Sequence, residues 1–430
     1  MTHMFRFIFI QIALWLALPI MAWGQHAQTK AMVAAWQART GFQGVVLVGD
    51  AEGIQSLTAY GLADRSWNLP MTTEAVFPIA SVTKTFTAQL VSQAVVEGRM
   101  QWSDTLGKWL PLAGNPIGGL SLHQLVQHTS GLPHWEGIRE YWRRVSKQSY
   151  TPAEAFGLMQ QVALTSVPGE TYHYSSLGYW WLGRALEAEY QQPFEAILAE
   201  KLLIPLQMHH TGTMQPQAIV PKRVQGYHQL RPDSVVQAPY RDYGLMLGGG
   251  NMYSTAEDLY RWCLAQEQSP TGWKEQNDAA DGGRWYYHGG GTWGASSLVS
   301  VQPATGQVVI LLSNLSGIPI ETQWRALLYD MVHGASAPLP ASAQAVRPLE
   351  EYTGTYASES GVQMRIWLHQ EALMARLGHN PAFALEPIQP EQFYGQAIEG
   401  TFAFGGGAGE EITTLRVTRF GQSFDFHKLP

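Results

Sequence analysis

Within residues 25–334, strand-forming sequence occurs at two distant places, and what lies between does not continue its pattern. The stretch "GVVLVGDAEGIQSLTAYG", Gly44 to Gly61, is two β-rich runs divided by the turn-rich "GDAEG", which reads as a hairpin. Strand character returns with "ASSLVSVQP" and "QVVILLSN", linked by the turn "ATG". From Ser81 to about Glu257 the patterns are mainly helical, with "SLHQLVQHTSGLP" and "TPAEAFGLMQQVAL" carrying apolar residues at three and four spacing. Helical character also marks Thr29 to Ala38 and "ETQWRALLYDMV", and Ser254 with Glu257 at capping-box spacing predicts a helix start. Strands at both ends with helices between them predict one sheet assembled from the two ends of a domain.

Near Gly334 the composition shifts to "GASAPLPASAQAVRP", the make-up of a linker spanning 335–348. Beyond it, "EEYTGTYA", "GVQMRIWLHQ", "EALMARLG" and "TTLRVTRFGQSFDFHKL" are short β-like runs broken by glycine-rich turns, so 349–430 is expected to be a small separate β domain. At the other end, "MTHMFR" supplies positive charge, "FIFIQIALWLALPIMAW" is apolar, and Ala22 and Gly24 stand three residues and one residue before a cleavage ahead of Gln25. Residues 1–24 therefore read as a signal peptide, with secretion or a periplasmic location as its consequence. The alternative is an uncleaved anchor, since the apolar run is just short of a bilayer span. No cysteine follows it, which excludes a bacterial lipoprotein. The remainder, 25–334, is the expected catalytic domain.

The 430 residues are 45% hydrophobic, enough to bury a large core, and the net charge of −7 comes from charged residues spread without a basic run. Nucleic acid and anionic lipid are not expected partners. The one cysteine, Cys263 in "LYRWCLA", cannot form an intrachain disulfide and reads as a buried helical thiol. No metal or other cofactor is implied: there is no HExxH, and His209 with His210 lacks further ligands at useful spacing.

Chemistry enters at "FPIASVTKTFTAQLV". If Ser81 stands at a helix start, Lys84 returns to the same face one turn on and brings its amine to the serine hydroxyl. Serine needs such a base, because it is a poor nucleophile at neutral pH. The pair alone is a weak signal, since Ser-x-x-Lys arises by chance on the order of once or twice in a chain this long. Two further stretches add weight. In "PGETYHYSSLGYWWLG" a Pro-Gly turn precedes Tyr174, a tyrosine able to act as general base if its loop opens on a cleft, or simply one of eighteen. In "YYHGGGTWGASSLV", His288 and three glycines come directly before an apolar strand, either a plain turn or a place where backbone N–H groups approach an oxyanion.

Taken together, "SVTK", "YSS" and "HGG" fall in the order of the Ser-x-x-Lys motif, the Tyr-x-Asn motif on a loop and the Lys-or-His-x-Gly triplet on a strand, and the chain resembles the serine β-lactamase and penicillin-binding protein superfamily. The resemblance is to the class C β-lactamase branch with its D,D-carboxypeptidase and esterase relatives, and runs from about Phe42 to Val332. "HTSGLP", "PGETYHYSSLGY" and "GGGNMYSTAEDL" support it. It implies an α+β (mixed α/β) fold of the β-lactamase/transpeptidase type: an antiparallel sheet flanked by helices, a helical region, and an appended C-terminal β domain. By resemblance Ser81 is the acylated nucleophile, Lys84 its proton partner, and Tyr174 the base toward Ser81 and acid toward the leaving group. His288 feeds hydrogen bonds to Tyr174 or to a substrate carboxylate. The N–H groups of Ser81 and Gly291 form the oxyanion hole, with Gly289 and Gly290 lining it.

One position departs from the pattern. The Asn of Tyr-x-Asn is Ser176, which is shorter and has no NH2 to offer a substrate amide or the lysine. That argues against efficient β-lactam or peptide hydrolysis. The expected function is a secreted or periplasmic serine hydrolase acting through a Ser81 acyl-enzyme on small ester, peptide or β-lactam substrates. Esterase, D,D-peptidase or D-aminopeptidase, and true class C β-lactamase stay open, as does a catalytically weak penicillin-binding sensor or scaffold.

Overall fold

The two strand-forming ends of the expected catalytic domain meet. The computed structural model describes residues 33–34, 37, 40–215, 217–231, 234–266, 268–277, 283–316, 318, 325, 329, 332, 347–369, 371–378, 382–389, 391–395, 400–406, 411–419 and 422–430. The proposed signal peptide and most of the proposed linker lie outside these residues.

Strand β1 (Gly44–Asp50) pairs on one side with β2 (Gly53–Tyr60), the predicted hairpin. On the other side it pairs with a strand from far along the chain. With β3 (Lys274–Asn277), β4 (Arg284–Thr292), β5 (Ala295–Gln302) and β6 (Gln307–Ser313), the sheet order is β3-β4-β5-β6-β1-β2, antiparallel throughout. Val45 stands opposite Leu312 and Leu47 opposite Ile310, so the two ends are joined in register through apolar residues. Alternate residues of a strand face opposite sides. Val45, Leu47, Val299, Ile310 and Leu312 accordingly pack toward the main helical core, while Val46, Leu298, Val309 and Leu311 pack on the other face with Val33 and Tyr329; the predicted helices over 29–38 and 321–332 lie largely outside the described residues.

Helix α1 (Thr83–Val96) is the centre of the larger core. It is buried on most of its surface, Phe86 stacks on Trp262 at 4.0 Å, and Lys84 is wholly enclosed. Helices α2 (Leu122–Val126) and α3 (Pro152–Met159) open with capping boxes, Ser121 with Gln124 and Thr151 with Glu154, each satisfying two otherwise orphaned N–H groups. Then come α4 (Ser176–Tyr190) and α5 (Ala256–Leu264), the latter burying Cys263. The start of α5 differs from expectation by one residue. Its cap is Thr255, whose hydroxyl accepts from Asp258 N, while Ser254 ends a short strand and its hydroxyl bonds Thr211 at 2.7 Å. The middle of the chain is also less helical than its patterns predict, with short strands at Tyr227–Arg231, Ser234–Gln237 and Met252–Ser254. No described helix is long and apolar enough to cross a membrane.

The C-terminal β region closes on itself. Strands β7 (Gly354–Ala357), β8 (Gln363–His369), β9 (Ala372–Leu377), β10 (Phe383–Gln389), β11 (Gln392–Gly395), β12 (Gly400–Gly405), β13 (Thr414–Arg419) and β14 (Gln422–Lys428) form a barrel whose last strand returns to the first, Tyr356 opposite Lys428. A barrel of this strand number is just wide enough for side chains to fill, and Met364, Ile366, Phe393, Phe402, Leu415 and Val417 do so. It touches the rest of the chain where the His228 ring meets the Ala382 carbonyl, 2.6 Å from Nε2.

Candidate active site

Ser81 lies in a single 3-10 turn, Ala80–Val82, that runs directly into α1. Ala80 before it has a φ of +44°, a left-handed conformation that costs a non-glycine residue roughly 1–3 kcal/mol and persists only where surroundings hold it. Here the surroundings are β5 and a short strand: Ser297 Oγ donates to Ile79 O at 2.8 Å, and Ile79 N donates to Met252 O at 3.0 Å. The turn is thereby fixed against the sheet with the Ser81 side chain partly open to solvent.

One turn on, Lys84 Nζ is 3.1 Å from Ser81 Oγ and donates to Gly249 O at 2.6 Å. An ammonium so enclosed has lost its hydration, and two hydrogen bonds do not replace it. Burial, followed by repulsion from Lys274 and Arg241, holds Lys84 well below the ordinary lysine value. A neutral amine can receive the serine proton. The glycine loop that supplies Gly249 packs on α1, with Thr87 Oγ1 donating to Gly248 O at 2.7 Å and Thr83 Oγ1 accepting from Met252 N at 3.2 Å.

Tyr174 sits on the loop before α4, half-buried, with Lys84 Nζ 5.0 Å from its ring centre. Its ring centre is 4.5 Å from that of His128 and 5.5 Å from that of His134. Ser176, 2% exposed, begins α4, and its N–H is accepted by His134 Nδ1 at 3.1 Å.

The "HGGG" segment lies inside β4, on a strand as the resemblance implies rather than in a turn before one, and the turn comes after it at Trp293 and Gly294. Strand β3 pairs with β4 only from Arg284 to Tyr287, so on that edge the backbone of His288 to Thr292 continues beyond its partner. His288 is buried. Its Nδ1 is 2.7 Å from Gly289 O, and a carbonyl only accepts, so Nδ1 carries the proton and Nε2 is left as an acceptor. Burial first, then Lys274 and Lys84, keep this ring neutral, well below the usual imidazole value.

Gly290 is where β4 meets the Ser81 turn. A Cβ there would run into Ile79 O and Ser297 Oγ and stand 3.0 Å from Ser81 N, whereas at Gly291 it would meet nothing within 4 Å. Overpacking of this kind typically costs about 1–3 kcal/mol. Gly290→Ala is therefore expected to lower thermal stability and cut any Ser81-dependent activity at least tenfold, with Gly291→Ala melting like the wild type. Equal melting temperatures for the two variants would contradict this packing.

The structure thus brings Ser81, Lys84, Tyr174, Ser176 and the His288–Gly291 strand into one neighbourhood. Sequence reasoning missed several members of it. Gly249 O lies 165 positions from the lysine it binds, and the cations Lys274 and Arg241 reach the site only through tertiary packing. Arg241 is buried, donating to Thr292 Oγ1 at 3.0 Å and Tyr141 OH at 2.8 Å. His134 follows immediately after the quoted "HTSGLP", its one available signal.

A sequence profile of the beta-lactamase family matches residues 29–328. The chain belongs to the beta-lactamase family. Among its family relatives, Penicillin-binding protein 4* of Bacillus subtilis (strain 168) is 24% identical over 416 residues, covering 83% of this chain and 88% of that protein. Esterase EstB of Burkholderia gladioli is 28% identical over 247 residues, covering 49% of this chain and 62% of the esterase. The octameric penicillin-binding protein homologue from Pyrococcus abyssi superposes with a TM-score of 0.61 at 17% identity, over 93% of this chain and 99% of that one. That similarity extends the shared fold through the C-terminal barrel.

Proposed function

We propose that this beta-lactamase family member is a serine hydrolase that forms an acyl-enzyme on Ser81 and favours carboxylic esters. The observation that carries this is the Lys84 amine, buried, held below its ordinary pKa and 3.1 Å from Ser81 Oγ. Tyr174 is the further proton-transfer group, the N–H groups of Ser81 and Gly291 receive the developing oxyanion, and Ser176, Gly289 and Gly290 border the bound acyl group. His288 offers Nε2 as an acceptor to the Tyr174 hydroxyl, which rules out the expected bond to a substrate carboxylate, itself only an acceptor. Residues 1–24 act as an export signal, making the enzyme periplasmic or secreted. The catalytic unit ends at 334, a linker occupies 335–348, and the barrel is an accessory domain.

Ester preference comes from Ser176. Gly249 O holds the lysine, at 2.6 Å from Nζ, but position 176 carries no carboxamide to hold a substrate amide. Amides depend on that alignment more than esters, because an amide nitrogen must be protonated before it leaves. One aligned hydrogen bond is worth about 1–3 kcal/mol, or roughly tenfold to a hundredfold in rate. The wild type is expected to prefer p-nitrophenyl acetate over a D-amino amide or a cephalosporin, and Ser176→Asn to shift kcat/KM toward the amides by about tenfold. A wild type that favours the cephalosporin, with no gain on restoring Asn, would overturn the ester preference. The similarity to Penicillin-binding protein 4* over 88% of its length favours a second reading, slow turnover of a penicillin acyl-enzyme. Persistent labelling of Ser81 by a fluorescent penicillin without ester hydrolysis would select it.

A further inference from the structure

Two imidazoles grip the segment that carries Tyr174. His128 Nδ1 accepts the Ser175 N–H, and His134 Nδ1 accepts the Ser176 N–H, both at 3.1 Å. A ring nitrogen that accepts from an N–H cannot itself carry a proton, so each ring serves only while neutral, with its hydrogen on Nε2. Their surroundings differ. His128 is 8% exposed, and burial, then Lys84 and Lys274, bring it down to about 3. It stays neutral at any working pH. His134 is only half-buried, so water can stabilise its cation.

Ser176 is also the residue with least alternative. It opens α4, and the first N–H groups of a helix have no carbonyl within the helix to meet. The Ser175 hydroxyl is already engaged, accepting from Gly178 N at 3.2 Å and donating to Pro133 O at 2.7 Å. A protonated His134 would turn an N–H and a positive charge toward the Ser176 N–H at the positive end of the helix dipole. Several groups face this ring. Glu136 accepts the backbone N–H of His134 at 2.9 Å and lies 3.8 Å from His173 Nε2, favouring the cation. The Tyr174 ring is 5.5 Å away, with Lys84 Nζ 5.0 Å from that ring's centre, and the Trp135 ring is 5.6 Å away. The helix dipole disfavours the cation.

We propose that His134 is a positioning residue: its neutral ring holds the Ser176 backbone, and through it Tyr174, and protonation of the ring releases the segment and shuts the site down in acid. This rests on the reading of Tyr174 and Ser176 as site residues. The first test is the pH dependence of kcat/KM for p-nitrophenyl acetate, from pH 8 down to 5, for the full chain and His134→Gln. Glutamine has a side-chain carbonyl that accepts an N–H at every pH in this range. The wild type is expected to fall at least tenfold toward acid, and the acid limb of His134→Gln to lie at least about one pH unit lower. Superimposable limbs would overturn the proposal.

The second test needs neither turnover nor the variant. Amide hydrogen exchange of the 170–180 region in the wild type, corrected for intrinsic rate, should show protection at Ser176 that is lost between pH 7 and 5. Protection unchanged across that interval would also overturn it. An active-site failure is separable: a wild type with no hydrolysis of any ester, or Ser81→Ala as active as the wild type, would remove the hydrolase reading while the exchange measurement still decides whether His134 holds Ser176.

Discussion

Ser81→Ala is expected to abolish turnover and covalent labelling by a fluorophosphonate while the protein folds as before. The hydroxyl it deletes is engaged by Lys84, and the lysine keeps its shorter bond to Gly249 O when that hydroxyl is gone. No buried donor is newly stranded, so the stability cost is small. The backbone of the turn is held by Ser297 and Met252 through Ile79, none of which the substitution touches. Loss of an activated nucleophile typically costs on the order of a thousandfold or more in rate. The check is kcat/KM for p-nitrophenyl acetate, labelling, and a melting curve on the same preparations. An alanine variant retaining more than about a tenth of wild-type activity would remove Ser81 from the mechanism.

What could be read in advance follows from where the information sits. Val45 to Val48 and Val308 to Leu312 are continuous apolar runs bounded by turn residues, and such runs announce strands wherever they occur. Their pairing was inferable because the sequence between them alternates at helical spacing. The "HGGG" segment could be placed on a strand by resemblance but not by pattern: glycine has no side chain to show a period of two, and the reason for Gly290 is a contact with Ile79 O and Ser81 N, more than two hundred positions earlier. The slip from Ser254 to Thr255 at the head of α5 has a similar origin, since both residues can cap and the choice is made by Thr211, which takes the Ser254 hydroxyl. In the C-terminal region the short runs announced strands, but closure of the barrel depends on Tyr356 meeting Lys428, for which no local signal exists. The electrostatics of the site were the least legible part. Lys84 is recognisable by its spacing from Ser81, yet what depresses its pKa is burial under α4 and the glycine loop, with Lys274 and Arg241 brought up from distant segments.

That electrostatic setting leads to the other large effect. If Lys84 and Tyr174 pass one proton to and from Ser81, removing either breaks the same path, and removing both breaks it no further. Lys84→Met keeps the buried aliphatic stem and deletes the amine; Tyr174→Phe keeps the ring beside His128 and His134 and deletes the hydroxyl. Each single variant is expected to lose on the order of a thousandfold in kcat/KM, and the double variant to fall within about tenfold of the worse single, because groups that act as a unit are strongly non-additive. The ring and the amine are close enough to share the task, with Nζ 5.0 Å from the ring centre and 3.1 Å from Ser81 Oγ. Losses that multiply, so that the double variant sits near a millionfold, would mean that the two act in separate steps. A Tyr174→Phe variant within about tenfold of wild type would leave Lys84 as the sole base, and its depressed pKa would then be sufficient for the proton transfer on its own.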